Sequence, residues 1–326
     1  MSSYGKYLPP EKVRTIAVLG TGSVGASWMA LFLAHGIRVQ AFDPAPGAEE
    51  RARKFVSDAW SALRTLGIAQ QLAAPQDLIS FCSSVTEVVA GADVIQENVP
   101  ERPALKKQLL EEVERAISPE TIIISSTGGI SPSSLQQYGK HPQRLVVIHP
   151  FNPTHLIPLV EVIGGKETAD EIVEWAMEFS RRMGKHPIKL RKEASGHMTN
   201  RLQFALMREA VYCLIEGIAS AEDIDAAVRY GLGPRWALMG GILTLHLAGG
   251  SHGMKGILDH AGDAIEGWMT PLGSLRLTEE VRNELVEAAE QVAGGHAVGE
   301  WVHWRDESLV RLLALLQQHP EPELQQ

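Results

Sequence analysis

Cysteine is scarce: Cys82 and Cys213 are the two in 326 residues. No disulfide framework can be built on them, and a reducing compartment fits. Positive charge is also short. Thirty Lys and Arg against 39 Asp and Glu leave a formal net charge of −9, which argues against nucleic acid or an anionic membrane as partner. A local basic pocket for an anionic small molecule stays open. Long apolar runs are missing. The longest, residues 236–248, contains Thr244 and His246 and is too short to cross a bilayer. The opening residues, MSSYGKYLPP, carry no apolar core of signal-peptide type. Together these absences make a cytoplasmic protein the expectation. His155, His197, His246 and His252 show no metal-ligand spacing, so no metal is expected.

What is present is an ordinary globular balance, 44% hydrophobic and 21% charged, in a chain long enough for two domains. Residues 15–19 (TIAVL) form a short β-branched apolar run, as a buried parallel strand should. Val24, Trp28, Leu31 and Phe32 then recur at helical spacing, and residues 37–42 (IRVQAF) alternate like a second strand. Further strands are predicted at 78–82, 93–96, 121–125, 145–149, 159–163 and 187–190. Helices are predicted at 49–72, with a break near Gly67, and at 104–116 and 169–183. Strands alternating with helices imply a Rossmann-type, doubly wound α/β sheet. Beyond about residue 193 strand patterns stop. Helices are predicted at 199–217, 221–230, 278–293 and 306–318. The expected division is a dinucleotide-binding domain, 1–193, and an all-helical domain, 194–326.

The loop "VLGTGSVGASW" links the first strand to the first helix. Gly20, Gly22 and Gly25 fit G-x-G-x-x-G. The first permits a tight turn, the second a close approach to pyrophosphate, and the third close helix–strand packing. With Ser23 and Val24 they make the predicted phosphate cradle at a helix N-terminus. Asp43 ends the second strand, where a carboxylate accepts from ribose hydroxyls and repels a 2′-phosphate. Pro44, Ala45 and Pro46 supply no arginine for that phosphate, so NAD is favoured over NADP.

Oxidation of an alcohol by a nicotinamide needs a base. His149 lies just beyond a strand run, on the edge where such sheets bind ligands. Glu161 falls twelve positions on, inside the next strand pattern, where a carboxylate needs a partner. A His149–Glu161 pair would fix the imidazole tautomer. A structural histidine and a strand-end glutamate fit the spacing equally well.

The motifs "GTGSVGASW", "DPAPGAE", "IQENVPERPALKKQL", "HPFNPTHLIPLVEVIGGKET", "GHMTNRLQFALMREA", "YGLGPRWALMG" and "WRDESL" run in order through the chain. In them it resembles the 3-hydroxyacyl-CoA dehydrogenase superfamily. Within that superfamily it resembles the short branch acting on free acids, the L-carnitine dehydrogenases and L-gulonate 3-dehydrogenases, whose relatives include lambda-crystallin. The resemblance implies NAD-dependent oxidation of a 3-hydroxy acid, with His149 as general base and Glu161 as its partner. It implies that Asn200 lines the substrate pocket; that position is asparagine in gulonate-type members and aspartate in carnitine-type ones. Glu101 and Lys106 match positions that contact the cofactor in acyl-CoA members, or are solvated helix charges.

One departure is plain. The family's substrate-touching serine, twenty-one positions before the histidine, is here Gly128. Ser126 stands nearby as a further candidate for substrate contact. The glycine is expected to leave a space of hydroxymethyl size and admit a bulkier substrate. Arg235, between two glycines and an apolar run, is the candidate partner of a substrate carboxylate. Phe151, Tyr230 and Trp236 could face the trimethylammonium of carnitine. The helical domain implies a homodimer. A small-molecule hydroxy acid is the expected ligand, L-carnitine first, with L-gulonate or an acyl-CoA thioester as alternatives. A non-catalytic, crystallin-like NAD-binding protein is the competing class.

Overall fold

Strand β1 (Thr15–Leu19) is buried at four of its five positions, as an apolar strand covered on both faces requires. After it come α1 (Ser23–Ala34), β2 (Arg38–Phe42), α2 (Ala48–Thr65), β3 (Ile79–Phe81), α3 (Val85–Val89), β4 (Val94–Glu97) and α4 (Pro103–Ala116). The series continues with β5 (Ile122–Ser125), α5 (Pro132–Gln136), β6 (Leu145–Pro150), β7 (Leu159–Gly164), α6 (Asp170–Arg182) and β8 (His186–Lys189). This computed structural model describes residues 4–320 and 322. The strands form one sheet in the order β3-β2-β1-β4-β5-β6-β7-β8. The chain leaves β1 toward β3, then returns to the other side of β1 at β4. That reversal opens a crevice beyond the carboxyl ends of β1 and β4.

The predicted strands are all present within a residue or two. The helix from residue 48 ends at Thr65, at the break expected near Gly67, which turns the chain at φ 74°. One feature differs from expectation. The pair β6/β7 is antiparallel, whereas every other neighbouring pair is parallel. The short connection between them cannot hold a crossover helix, so β7 must run back along β6.

Packing divides the chain into two units. One comprises residues 1–201 with 309–314, the other 202–308 with 315–326. Residues up to 201 pack with the first unit, where Met198–Asn200 are hydrogen-bonded back to Glu161 and Gly128. The helices beyond the sheet are α7 (Thr199–Ile215), α8 (Ala221–Ala226), α9 (Gly233–Leu238), α10 (Gly241–Ala248), α11 (Gly253–Met269), α12 (Glu279–Ala293) and α13 (Val298–Gln318). A π-helical segment, Ala227–Leu232, interrupts the helix predicted over 221–230. Among the described residues no helix is long and apolar enough to cross a membrane.

Candidate active site

The glycine loop has the shape its sequence demands. Gly20 has φ 84°, and a Cβ there would lie 3.0 Å from the Asn98 carbonyl oxygen. A Cβ on Gly25 would fall 2.0 Å from the Gly20 carbonyl oxygen, so only glycine lets α1 pack so close. Gly22 opens on free space, as a backbone that receives a phosphate must. A hollow of about 690 Å³ is lined by Gly20, Gly22, Ser23, Val24, Asp43 and Asn98, among others. Asp43 Oδ2 accepts from the Thr21 amide at 2.8 Å and Oδ1 from the Ala45 amide at 3.0 Å. The Thr21 hydroxyl also donates to Oδ2, at 3.3 Å, which leaves one lone pair, on Oδ1, for a ribose hydroxyl. Arg53 lines the neighbouring hollow but is bound to Glu49 at 2.8 Å. These residues fit a dinucleotide without a 2′-phosphate.

The candidate base, His149, lies farther along the same sheet edge. His149 on β6 and Glu161 on β7 are direct cross-strand partners. His149 Nδ1 meets Glu161 Oε2 at 2.9 Å. Glu161 Oε1 accepts from the amides of Met198 and Thr199, at 3.1 and 2.7 Å, and from the Thr199 hydroxyl at 3.0 Å. Burial alone would raise the Glu161 pKa, but the bonds from His149 and Thr199 outweigh it and hold the carboxyl below the usual range. An ionised carboxylate only accepts, so Nδ1 carries the proton and a neutral His149 presents Nε2 as its free lone pair. Phe151 packs on the imidazole with ring centroids 4.7 Å apart.

Facing Nε2 is the loop after β5. Asn200 Nδ2 donates to the Gly128 carbonyl at 3.1 Å. Glu101 Oε1 gathers the Thr127 hydroxyl at 2.6 Å and the amides of Gly128 and Gly129 at 2.7 and 3.2 Å. Glu101 thus pins this loop beside the base. The space expected at Gly128 is not there. A Cβ at that position would sit 2.9 Å from His149 Nε2, so the imidazole itself fills the room a side chain would take. Lys106 is also placed differently from its sequence reading. It is 1% exposed and donates to both Glu97 oxygens, at 2.7 and 2.9 Å, and to the Val99 carbonyl at 3.1 Å. Three acceptors occupy its three protons, making it neither a solvated charge nor an open cofactor ligand.

With this geometry in hand, comparison with known proteins is decisive. The NAD binding domain of 3-hydroxyacyl-CoA dehydrogenase matches residues 15–194, and the C-terminal domain of the same family matches residues 196–293. The chain belongs to the 3-hydroxyacyl-CoA dehydrogenase family. Like that family, it is an NAD-dependent oxidoreductase. It is 43% identical over 309 residues to an L-carnitine dehydrogenase of Bacillus cereus, covering 95% of this chain and 94% of the relative. An L-carnitine dehydrogenase of Oceanobacillus iheyensis is 42% identical, with 94% and 99% covered. Among solved structures, a 5-formyl-3-hydroxy-2-methylpyridine 4-carboxylic acid 5-dehydrogenase, described as an NAD+ dependent dismutase, superposes with TM-score 0.81 at 30% identity, covering 94% of this chain and 99% of the other. The 3-hydroxybutyryl-CoA dehydrogenase of Escherichia coli K12 gives 0.62 at 30% identity, with 73% and 50% covered.

Several residues of this family member escaped the sequence reading. Thr199 and Met198 anchor Glu161, but amide donors carry no residue-type signal. Glu97 was hidden in an apolar strand, although an acid there is a signal in itself. His197 is 1% exposed at φ 52°. Its Nε2 donates to the Thr127 carbonyl at 3.1 Å, and its ring centroid lies 5.2 Å from that of His149. Burial pushes the His197 pKa down. Lys185 donates to the carbonyls of Thr154 and Ile157, bracing the connection between β6 and β7, and burial lowers its ammonium to about 7. Arg235, Tyr230 and Trp236 belong to the second unit. Arg235 is exposed, donates to the Gly231 carbonyl at 3.3 Å, and makes no ion pair among the described residues.

Proposed function

We propose that this dehydrogenase oxidises the 3-hydroxyl of a small hydroxy acid to the 3-oxo acid, with L-carnitine the first candidate. The cross-strand pair His149–Glu161 carries the reading. NAD, when bound, supplies the hydride acceptor. His149 Nε2 accepts the hydroxyl proton, and the resulting imidazolium is held by the ionised Glu161 through Nδ1–H. Asn200, which gives one Nδ2 proton to the Gly128 carbonyl, offers the other to the substrate oxygen. Glu101 keeps the 127–129 loop against the base. Phe151 flanks the imidazole and excludes water. Gly20, Gly22, Ser23, Val24, Gly25 and Asp43 hold the adenosine diphosphate half of NAD. The similarity to L-carnitine dehydrogenases over nearly the full chain supports the substrate.

Asn200 favours a second reading. Carnitine-type members carry aspartate there, whereas asparagine marks the gulonate type. L-Gulonate is therefore the second candidate. The chain acts as a homodimer in this proposal. The α10 stretch, taken alone, exposes Ile242 by 80% and Leu247 by 56%, which suits a subunit interface.

The test is formation of reduced nicotinamide from NAD with L-carnitine, L-gulonate and other 3-hydroxy acids, and its oxidation with acetoacetyl-CoA. Turnover of L-carnitine well above the rest is expected. Preference for L-gulonate moves the substrate to the second reading. Activity confined to the CoA thioester overturns both.

A further inference from the structure

The glycine loop ends in Trp28, whose role the proposed reaction leaves unexplained. The indole is 2% exposed, and a buried indole N–H needs an acceptor. Trp28 Nε1 donates to Ser126 Oγ at 3.0 Å. The Gln96 side-chain amide donates to the same oxygen at 2.8 Å and to Asn98 Oδ1 at 3.1 Å. A hydroxyl oxygen has two lone pairs and one proton. Both lone pairs of Ser126 are taken, by groups that donate. Its proton must go elsewhere, and among the described residues no acceptor receives it. Ser126 is half-buried, so that proton can reach a ligand.

Strand order says which ligand. The carboxyl ends of β2, β1, β4, β5 and β6 lie side by side on one edge. They carry Asp43, the glycine loop, Asn98, Ser126 and His149 in that sequence. Neighbouring strands are roughly 5 Å apart. A dinucleotide with its adenosine ribose at Asp43 and its pyrophosphate at Gly22 runs along this edge toward His149. Its nicotinamide must end beside the base to receive hydride. The end of β5 is the last stop before β6.

We propose that Ser126 is a cofactor-binding residue whose hydroxyl donates to the nicotinamide riboside half of NAD, aimed by Trp28 and Gln96. This assigns Ser126 to the cofactor rather than to the substrate. It rests on the family's NAD-binding domain and is independent of which hydroxy acid is oxidised. Trp28 and Gln96 are positioning residues: they fill the oxygen's lone pairs and leave the proton one direction.

Binding of NADH and of ADP, each followed by fluorescence or calorimetry, tests this. Ser126→Ala is expected to weaken NADH by roughly three- to tenfold, the range of one hydrogen bond, and to leave ADP unchanged. Because Ser126→Ala strands the buried Trp28 N–H, the double variant Trp28→Phe/Ser126→Ala removes that defect. It is expected to recover thermal stability while keeping the NADH loss. Unchanged NADH binding overturns the proposal. Equal loss of NADH and ADP also overturns it, since the hydroxyl would then support the whole pocket rather than one end of the cofactor. Recovery of NADH binding in the double variant does the same, because the defect would be one of packing.

Discussion

The two units differ most in what they bury. The first hides nearly every large apolar side chain of its sheet, of α1 and of α6, with Trp28, Phe32, Trp175 and Phe179 among them. In the second, Val211, Val281 and Ala288 are the buried hydrophobic residues among those described. Tyr230 is 71% exposed, Ile242 80% and Trp268 69%. A chain that folds against itself leaves few such residues in water. The first unit is complete on its own terms, with both glycine loop and proposed base. The second exposes apolar side chains on several helices. In the proposed reading, the cofactor cradle and the base belong to the first unit, and assembly to the second.

The sharpest way to break that comparison is at the base. His149→Ala should lower turnover by about two to four powers of ten while leaving NAD affinity unchanged in a binding titration. Full activity would remove the proposed chemistry from the first unit.

On the other side, Ile242→Glu should convert the proposed dimer to monomer in light scattering or sedimentation. A buried unpaired charge costs about 3–5 kcal/mol, roughly two to four powers of ten in an association constant. An unchanged assembly would show that α10 is covered by something else.

Glu161→Gln should reduce turnover by about one to two powers of ten, the worth of a hydrogen bond to a charged group. Its pH behaviour follows from the lowered Glu161 pKa. A depressed carboxyl contributes stability above its unfolded pKa and loses it as pH falls through the folded one. Wild type should therefore lose thermal stability on acidification below the ordinary carboxylate range, and the Gln variant should lose less. Parallel curves would deny Glu161 its ionised state.

Gly128→Ser should slow every substrate by roughly tenfold, since moving His149 Nε2 away from the new Cβ strains its bond to Glu161. A gain on small substrates would mean the imidazole yields freely.

The smallest effect is expected at Asp43. Asp43→Ala should raise the Michaelis constant for NAD a few-fold, about one hydrogen bond's worth, and narrow the preference over NADP. Equal use of NAD and NADP by the unmodified chain would contradict the cofactor assignment.

Legibility followed the range of the forces involved. The strands, the glycine loop and Asp43 were readable because alternation, apolar runs and glycine spacing are local constraints. The pairing of His149 with Glu161 was only one of two readings of a twelve-residue interval. The antiparallel return of β7 decided it by placing the two residues opposite each other. The room at Gly128 was misjudged because a missing side chain says nothing about which neighbour moves in. Lys106 matched a cofactor-contacting position, with a solvated helix charge as the alternative, until Glu97, on the adjacent strand, proved to lie under it.

By itself the sequence determined the sheet's elements, the dinucleotide turn and the residue types for hydride chemistry, since each rests on neighbours a few positions apart. Tertiary structure alone decided where charge and protons reside. The Glu161 carboxyl is held below its usual range because His149 and the start of α7 donate to it, and Ser126 has one free proton because Trp28 and Gln96 fill its lone pairs. Those partners come from strands and helices distant in the chain, and only folding brings them within hydrogen-bond reach.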